Sequence, residues 1–296
     1  MKMKQKLIAR KCLLLLGVVF FLEKKTNAQD TTKYIELSSV EVTGYDDDLQ
    51  QLSTYFNDVT LVGMGESTHG THEFFTMRYR MFKYLVEHHQ FTTFFLEADY
   101  ANCLRANAYI HGKDDDAIDV IKEIDMWPWK THEMVDLINW MRTHNLENPE
   151  MQLNFIGVDM QRYVENIKKM DDILTRYKLP TIDSAIYQKI LKTNFFSVTE
   201  TEDLKIYKSA WQEKKAIDIS SLNEEDKRVY NILLRHLTQT ISEKYKWEKQ
   251  YDYRDRRMAE NILSHLKGVT LIKGFFWAHN GHINDCIRKK RKKEDS

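Results

Sequence analysis

Four times along this chain a short apolar run stops on residues suited to acid–base chemistry. Val59 to Gly65 delivers Glu66, Ser67, Thr68, His69 and His72. Phe94, Phe95 and Leu96 lead to Glu97 and Asp99; Leu153, Phe155, Ile156 and Val158 lead to Asp159; Val269 to Trp277 leads to His279 and His282. An open parallel sheet loads its carboxyl edge with chemistry in this way, because the strands are covered and ligands are met only where they end. The pattern predicts an α/β fold: a central, mostly parallel sheet flanked by helices.

The chain has 296 residues, 42% of them apolar, which is enough for one large core or two small ones. With three prolines, ten glycines and no Ser/Gly-rich run to serve as a linker, the sequence reads as one domain. The formal charge of zero averages unlike parts. Residues 1–28 hold seven of the 44 basic and one of the 44 acidic residues, so the remainder carries 37 against 43. An acidic body argues against nucleic acid as a partner and permits a cationic ligand.

The N-terminus reads as an export signal. Lys2, Lys4, Lys6, Arg10 and Lys11 precede an apolar run from Cys12 to Leu22, and Ala28 offers a small residue before Gln29. The run is short for a bilayer, so no stable membrane span is expected once the signal is removed. Glu23, Lys24 and Lys25 are unusual before a cleavage point and keep a retained anchor open. The expected plan is a signal peptide over residues 1–28, a catalytic domain over 29–283 with a helical insertion at about 163–267, and a basic, unpacked tail over 284–296. The processed chain would be exported, periplasmic or secreted. It would keep only Cys103 and Cys286, which offers no disulfide framework.

The helix expected from His72 to about His89 gathers Phe74, Phe75, Met81, Phe82 and Leu85 on one face at a period of 3.6. Arg78 falls within that face, where a guanidinium needs an inward acid or a cleft. Arg80, Lys83 and Glu87 fall on the opposite side, where solvent is expected. Further on, Pro128 breaks a helix and Thr131 can cap the next. Trp127 and Trp129 around that turn can line a pocket for an apolar ligand or plug the loop onto the core. Arg254 stands one turn from Met258 and hence near a buried stripe.

The reactive set fits some chemistries and misses others. Gly65-Glu66-Ser67-Thr68-His69 lacks the last glycine of a nucleophile elbow, which leaves Ser67 as a turn hydroxyl. Gly63 and Gly65 are followed by Thr68 where a dinucleotide fingerprint needs its third glycine. Glu66 with His69 is the pairing that activates water: the acid fixes the tautomer and steadies the imidazolium while the ring takes the proton. An inward Arg78 could then stabilise an oxyanion, with Glu97 also inward and His279 and His282 arriving from a distant strand. The same Glu-x-x-His, lone Glu and His-x-x-His groups suit zinc or non-haem iron, although no HExxH helix or carboxylate quartet sharpens that reading.

Gly65-Glu66-Ser67-Thr68-His69-Gly70-Thr71-His72-Glu73-Phe74, Glu97, Trp127-Pro128-Trp129, Trp140-Met141-Arg142, Gly157-Val158-Asp159, Arg254-Asp255 with Met258-Ala259-Glu260-Asn261, and Trp277-Ala278-His279-Asn280-Gly281-His282 together resemble the erythromycin esterase family. The resemblance runs in order over about residues 55–283. It implies an α/β hydrolase that opens a macrolactone ester by attack of water, with neither metal nor other cofactor and with a small-molecule ester or lactone as partner. By motif it implies His69 as general base, with Glu66, Arg78, Glu97, His279 and His282 completing the site and Trp127, Trp129, Arg254 and Asp159 contacting substrate. The rival expectation is a binding protein, either a metal-site protein or a ligand-sequestering, non-catalytic member of the family.

Overall fold

The computed structural model describes residues 36–43, 46–113, 116–161, 164–192, 201–244, 250–267 and 272–283. The expected export signal and basic tail lie outside the described residues. In chain order the elements are α1 (Asp47–Gln50), α2 (Ser53–Phe56), β1 (Leu61–Glu66), α3 (His72–His89), β2 (Thr93–Asp99), α4 (Tyr100–Ile110), α5 (Ala117–Glu123), a 3-10 turn (Trp127–Trp129) and α6 (His132–Glu147). There follow β3 (Asn154–Asp159), α7 (Val164–Arg176), α8 (Ser184–Lys192), α9 (Thr201–Ala216), α10 (Glu224–Lys244), α11 (Gln250–Leu266), β4 (Gly274–His279) and α12 (Asn280–Ile283). The fold is α/β, a four-stranded parallel sheet in the order β1-β4-β2-β3 flanked by helices. Every residue of β2 is buried, as expected of strands covered on both faces.

The chain divides within β2 into two compact units, one of residues up to Phe94 with those from Gly268 onward, the other Phe95–Lys267. In the first unit β1 and β4 run parallel, in a register from Leu61↔Gly274 to Glu66↔His279. Alternation along the strands then separates two faces. On one, Phe75 of α3 meets Trp277 edge-on at 4.5 Å, and Phe82 meets Phe275 at 5.7 Å. The other is cut down to glycine where α12 folds back. A Cβ on Gly65 would stand 2.1 Å from Asn280 Oδ1 and 3.2 Å from its Cα, so a larger residue there would have to displace Asn280.

One expectation about α3 is corrected. Lys83 and Glu87 do reach the surface, but Arg80 is as buried as Arg78. Its guanidinium donates through Nη2 to Asp48 Oδ1 at 2.5 Å, and through Nη1 to Asp48 Oδ2 at 3.1 Å and to the Ser39 carbonyl at 2.5 Å. Ser38 completes the cage, its amide donating to Asp48 Oδ2 at 2.8 Å and its hydroxyl at 3.1 Å. Helical periodicity cannot register a carboxylate that arrives from another element and covers the polar side. Burial alone would raise the Asp48 carboxyl, but the hydrogen bonds from Arg80 and Ser38 outweigh it and hold it at about 2. The pair's stabilisation is thus complete above the ordinary value of 3.8 and is lost as pH falls through about 2.

The second unit holds β3 against β2 so closely that a Cβ on Gly157 would stand 2.5 Å from the carbonyl oxygens of Ala98 and Asp99. Its helices are started by side chains: Asp116 accepts from Ile118 and Asp119 amides to cap α5, and Thr131 accepts from the Met134 amide to cap α6. Ile167, Met170, Ile173 and Leu174 of α7 pack with Tyr230, Leu233 and Leu237 of α10, the helical spacing that forms a buried stripe. Behind β3, His236 is fully buried and donates from Nδ1 to the Asp159 carbonyl at 3.0 Å. Burial, helped by the charge of Arg235, pulls its ring down to about 3, and burial likewise pulls His265 to about 4. Both are neutral when folded, so their contribution is present above pH ~6.5 and is lost as pH falls toward those values.

Two measurements follow from these buried groups. Asp48→Ala strands a guanidinium in the core and is expected to cost about 3–5 kcal/mol in urea unfolding at pH 7. His236→Asn keeps a donor near the Nδ1 position without the titration. Stability lost between pH 6.5 and 4.5 should therefore be smaller in this variant by about 2 kcal/mol.

Candidate functional site

The first unit holds five of the anticipated residues: Glu66, His69, Arg78, His279 and His282. Glu66 ends β1 with no exposed surface, and its register partner is His279, the last residue of β4. Between β1 and α3 the chain turns through Ser67 to Thr71, with Gly70 at φ +79°, the left-handed region that favours glycine. The Thr68 and Thr71 hydroxyls, 2.9 Å apart, close this turn. It carries His69 back over the strand end, where its Nδ1 lies 2.6 Å from Glu66 Oε1. The His69 side chain remains 29% exposed while its carboxylate partner is sealed. Its centroid lies 5.2 Å from that of His279. His282 sits half-buried in α12.

Burial raises the Glu66 carboxyl above its ordinary value of 4.5; His69, the Trp277 indole N–H and the Arg78 charge act the other way without cancelling it. Arg78 itself is buried on α3, donating to the Phe74 carbonyl at 3.0 Å with its guanidinium 5.0 Å from the Phe74 ring. Burial lowers it to about 10, opposed by the charge of Glu66, so it stays a cation at neutral pH. Arg78 and Glu66 lie close enough for each charge to act on the other. Trp277 precedes His279 by two residues on the same strand and therefore shares its face, a spacing visible in the sequence.

In the second unit Glu97, Asp159 and Arg254 form one buried network. Arg254 donates from Nε to Asp159 Oδ1 at 3.0 Å, and from Nη2 to Asp159 Oδ2 at 2.5 Å and Glu97 Oε1 at 2.6 Å. Asp159 also accepts from Gln161 Nε2 at 2.7 Å and the Met160 amide at 2.8 Å. Burial opposes both charges, yet their mutual attraction prevails: Asp159 lies below and Arg254 above its ordinary value. The two tryptophans separate. Trp129 is fully buried and donates its indole N–H to the Glu97 carbonyl at 3.0 Å, whereas Trp127 is 72% exposed. Trp129 is thus a plug that fixes the β2 backbone, and Trp127 is the one with surface to offer.

Elsewhere in this unit a polar cleft of about 480 Å³ is lined in part by Asn102, Arg105, Glu123, Glu165 and Lys168. Its charges answer one another, Arg105 to Glu123 at 2.7 Å and Lys168 to Glu165 at 2.6 Å, and none of the anticipated site residues lines it. Among the described residues, the group of three acidic or histidine side chains with ligand atoms close enough for a metal is Asp46, Glu87 and His88, on the outer side of α3.

The sequence profile of the erythromycin esterase family matches residues 86–296. This chain belongs to the erythromycin esterase family. A curated family relative, the type II erythromycin esterase of Escherichia coli, is 26% identical over 273 residues, covering 80% of this chain and 64% of its own length. A Bacillus cereus protein of known crystal structure superposes with a TM-score of 0.61 at 26% identity, over 84% of this chain and 64% of that one. The erythromycin esterase EreC, solved as a mutant in its open conformation, shares the fold with a TM-score of 0.59 at 17% identity, over 80% and 64% of the two chains. The chain therefore spans about 64% of the length of these relatives. Among the described residues no helix is long and apolar enough to cross a membrane.

The sealed carboxylate gives a stability test that needs no substrate. A carboxyl raised above its ordinary 4.5 binds its proton more readily in the folded state, so ionised Glu66 subtracts stability above that raised value and nothing below 4.5. Glu66→Gln should unfold at a higher urea concentration than the parent at pH 7, with the difference vanishing below pH 4.5.

Proposed function

We propose that this chain is a carboxylic ester hydrolase that works by His-activated water, with a macrolide-like lactone as the first substrate to test. The 2.6 Å contact between His69 Nδ1 and Glu66 Oε1 carries the proposal. A carboxylate accepts and does not donate, so the ring proton sits on Nδ1 and the basic lone pair on Nε2. Water bound there gives its proton to Nε2 as its oxygen attacks the ester carbon. The tetrahedral oxyanion then collapses, the C–O bond to the alcohol breaks, and the alkoxide takes the proton from Nε2. The products are a carboxylic acid and an alcohol, which for a lactone are two ends of one opened ring.

Glu66 supports the step twice, by fixing the tautomer and by opposing the imidazolium charge as it forms. Arg78 helps to keep Glu66 ionised against its burial. Glu97 is assigned by the family resemblance, and its buried pairing with Arg254 supports a fixed, charged carboxylate at the end of β2. Trp127, exposed beside that strand's plug, is the aromatic surface proposed for substrate. Residues 1–28 are proposed to export the chain to the periplasm or beyond the cell.

Erythromycin incubated with the purified chain should gain the mass of one water, with or without chelator. His69→Ala should abolish the gain, and Glu66→Gln should slow it about 10³–10⁴-fold, as loss of the tautomer-fixing acid does in other imidazole bases. A gain that disappears with chelator would favour the metal reading. Tight binding without product would favour a non-catalytic binder.

A further inference from the structure

Two imidazoles stand 5.2 Å apart at the end of the β1–β4 pair, and their ring nitrogens are committed in opposite senses. His69 meets a carboxylate at Nδ1, at 2.6 Å. His279 meets a donor there: the backbone N–H of Gly281 points at its Nδ1 from 3.0 Å. A ring nitrogen that accepts an N–H holds no proton of its own, so the neutral His279 ring carries its hydrogen on Nε2. Consistently, Nε2 faces an acceptor, the Ser67 carbonyl, at 3.3 Å. That is longer than the usual 2.7–3.2 Å of an N–H···O bond.

We propose that the Gly281 amide holds His279 as the Nε2–H tautomer, making it a hydrogen-bond donor to the ester oxygen as that oxygen becomes an oxyanion. His69 is then the only base of the pair, and Gly281 is a positioning residue. The donor role rests on the hydrolase reading above; the tautomer does not. The fold builds this arrangement deliberately. Gly65 lets Asn280 lie against the β1 backbone, so the chain can reverse directly after β4 and present the next amide to the ring it has just passed. A Cβ at position 281 would stand 3.1 Å from His279 Nδ1, so a larger residue there would press on the ring and shift it by a few tenths of an ångström. Two histidines of the same tautomer would compete for one proton, whereas opposite tautomers divide the work between proton acceptor and oxyanion donor.

The tautomer is read by long-range ¹H–¹⁵N correlation spectra of the histidine-labelled full chain at a pH where the ring is neutral, with the His279 signals assigned by their loss in His279→Asn. The expected pattern is a protonated Nε2 and an unprotonated Nδ1, lost or mixed in Gly281→Pro, whose imide has no N–H. The donor role is read by kinetics on an ester that the parent hydrolyses. Glutamine places an N–H near the Nε2 position but cannot accept a proton there. His279→Ala should cost about 100-fold in kcat, and His279→Gln should recover at least about tenfold of that. Glutamine no better than alanine would overturn the donor role, and an Nδ1–H signal in the parent would overturn the proposal whatever the rates. If the parent hydrolyses no ester, the hydrolase reading fails, and the spectrum still decides the tautomer.

Discussion

A carboxylate without exposed surface is the constraint on which the first unit turns. Glu66 is carried into the interior by the last residue of β1, where water no longer solvates it, and everything near it answers that charge. His69 supplies a hydrogen bond, Trp277 an indole edge and Arg78 a cation, yet burial still wins by raising the carboxyl. That residual imbalance is useful. A sealed, poorly solvated carboxylate gains most when the imidazole touching it becomes charged, because an ion pair is strongest where the dielectric is low.

The second unit handles buried charge differently. Arg254 spans Asp159 and Glu97 with three hydrogen bonds, and the remaining acceptor capacity of Asp159 is taken by Gln161 and the Met160 amide. Removing one member of such a network is costly because the others stay buried. The two strand ends are thus of different kinds. One is a charge left partly unanswered beside a half-buried imidazole; the other is closed by its own partners and is better suited to holding a carboxylate still.

Much of this was legible in the chain. The four apolar runs ending in Glu66, Glu97, Asp159 and His279 name the strands and the edge, since a strand buried on both faces leaves only its end for polar groups. The spacing of three between Glu66 and His69 is enough for a tight turn to return the ring to the acid. The Thr131 cap could be read from local sequence for the same reason, since its partners lie within a few residues. Arg80 shows where such reading stops: its carboxylate comes from α1, and helical periodicity assigns it to solvent. Trp127 and Trp129 show it again, as one pattern yields an exposed ring and a buried one.

The sequence by itself determined the parallel α/β class, the strand-end placement of the reactive residues and the family, because each depends on short-range order: period, spacing and motif. Tertiary structure alone decided which charges would meet. Glu66 faces His279 only through the β1–β4 register, Asp48 reaches Arg80 only because α1 lies on α3, and Gly281 reaches His279 only because Gly65 leaves room for the turn. Electrostatic partners are chosen by distance in space, and at these sites the distance is set by backbones that pack against each other far apart in the chain.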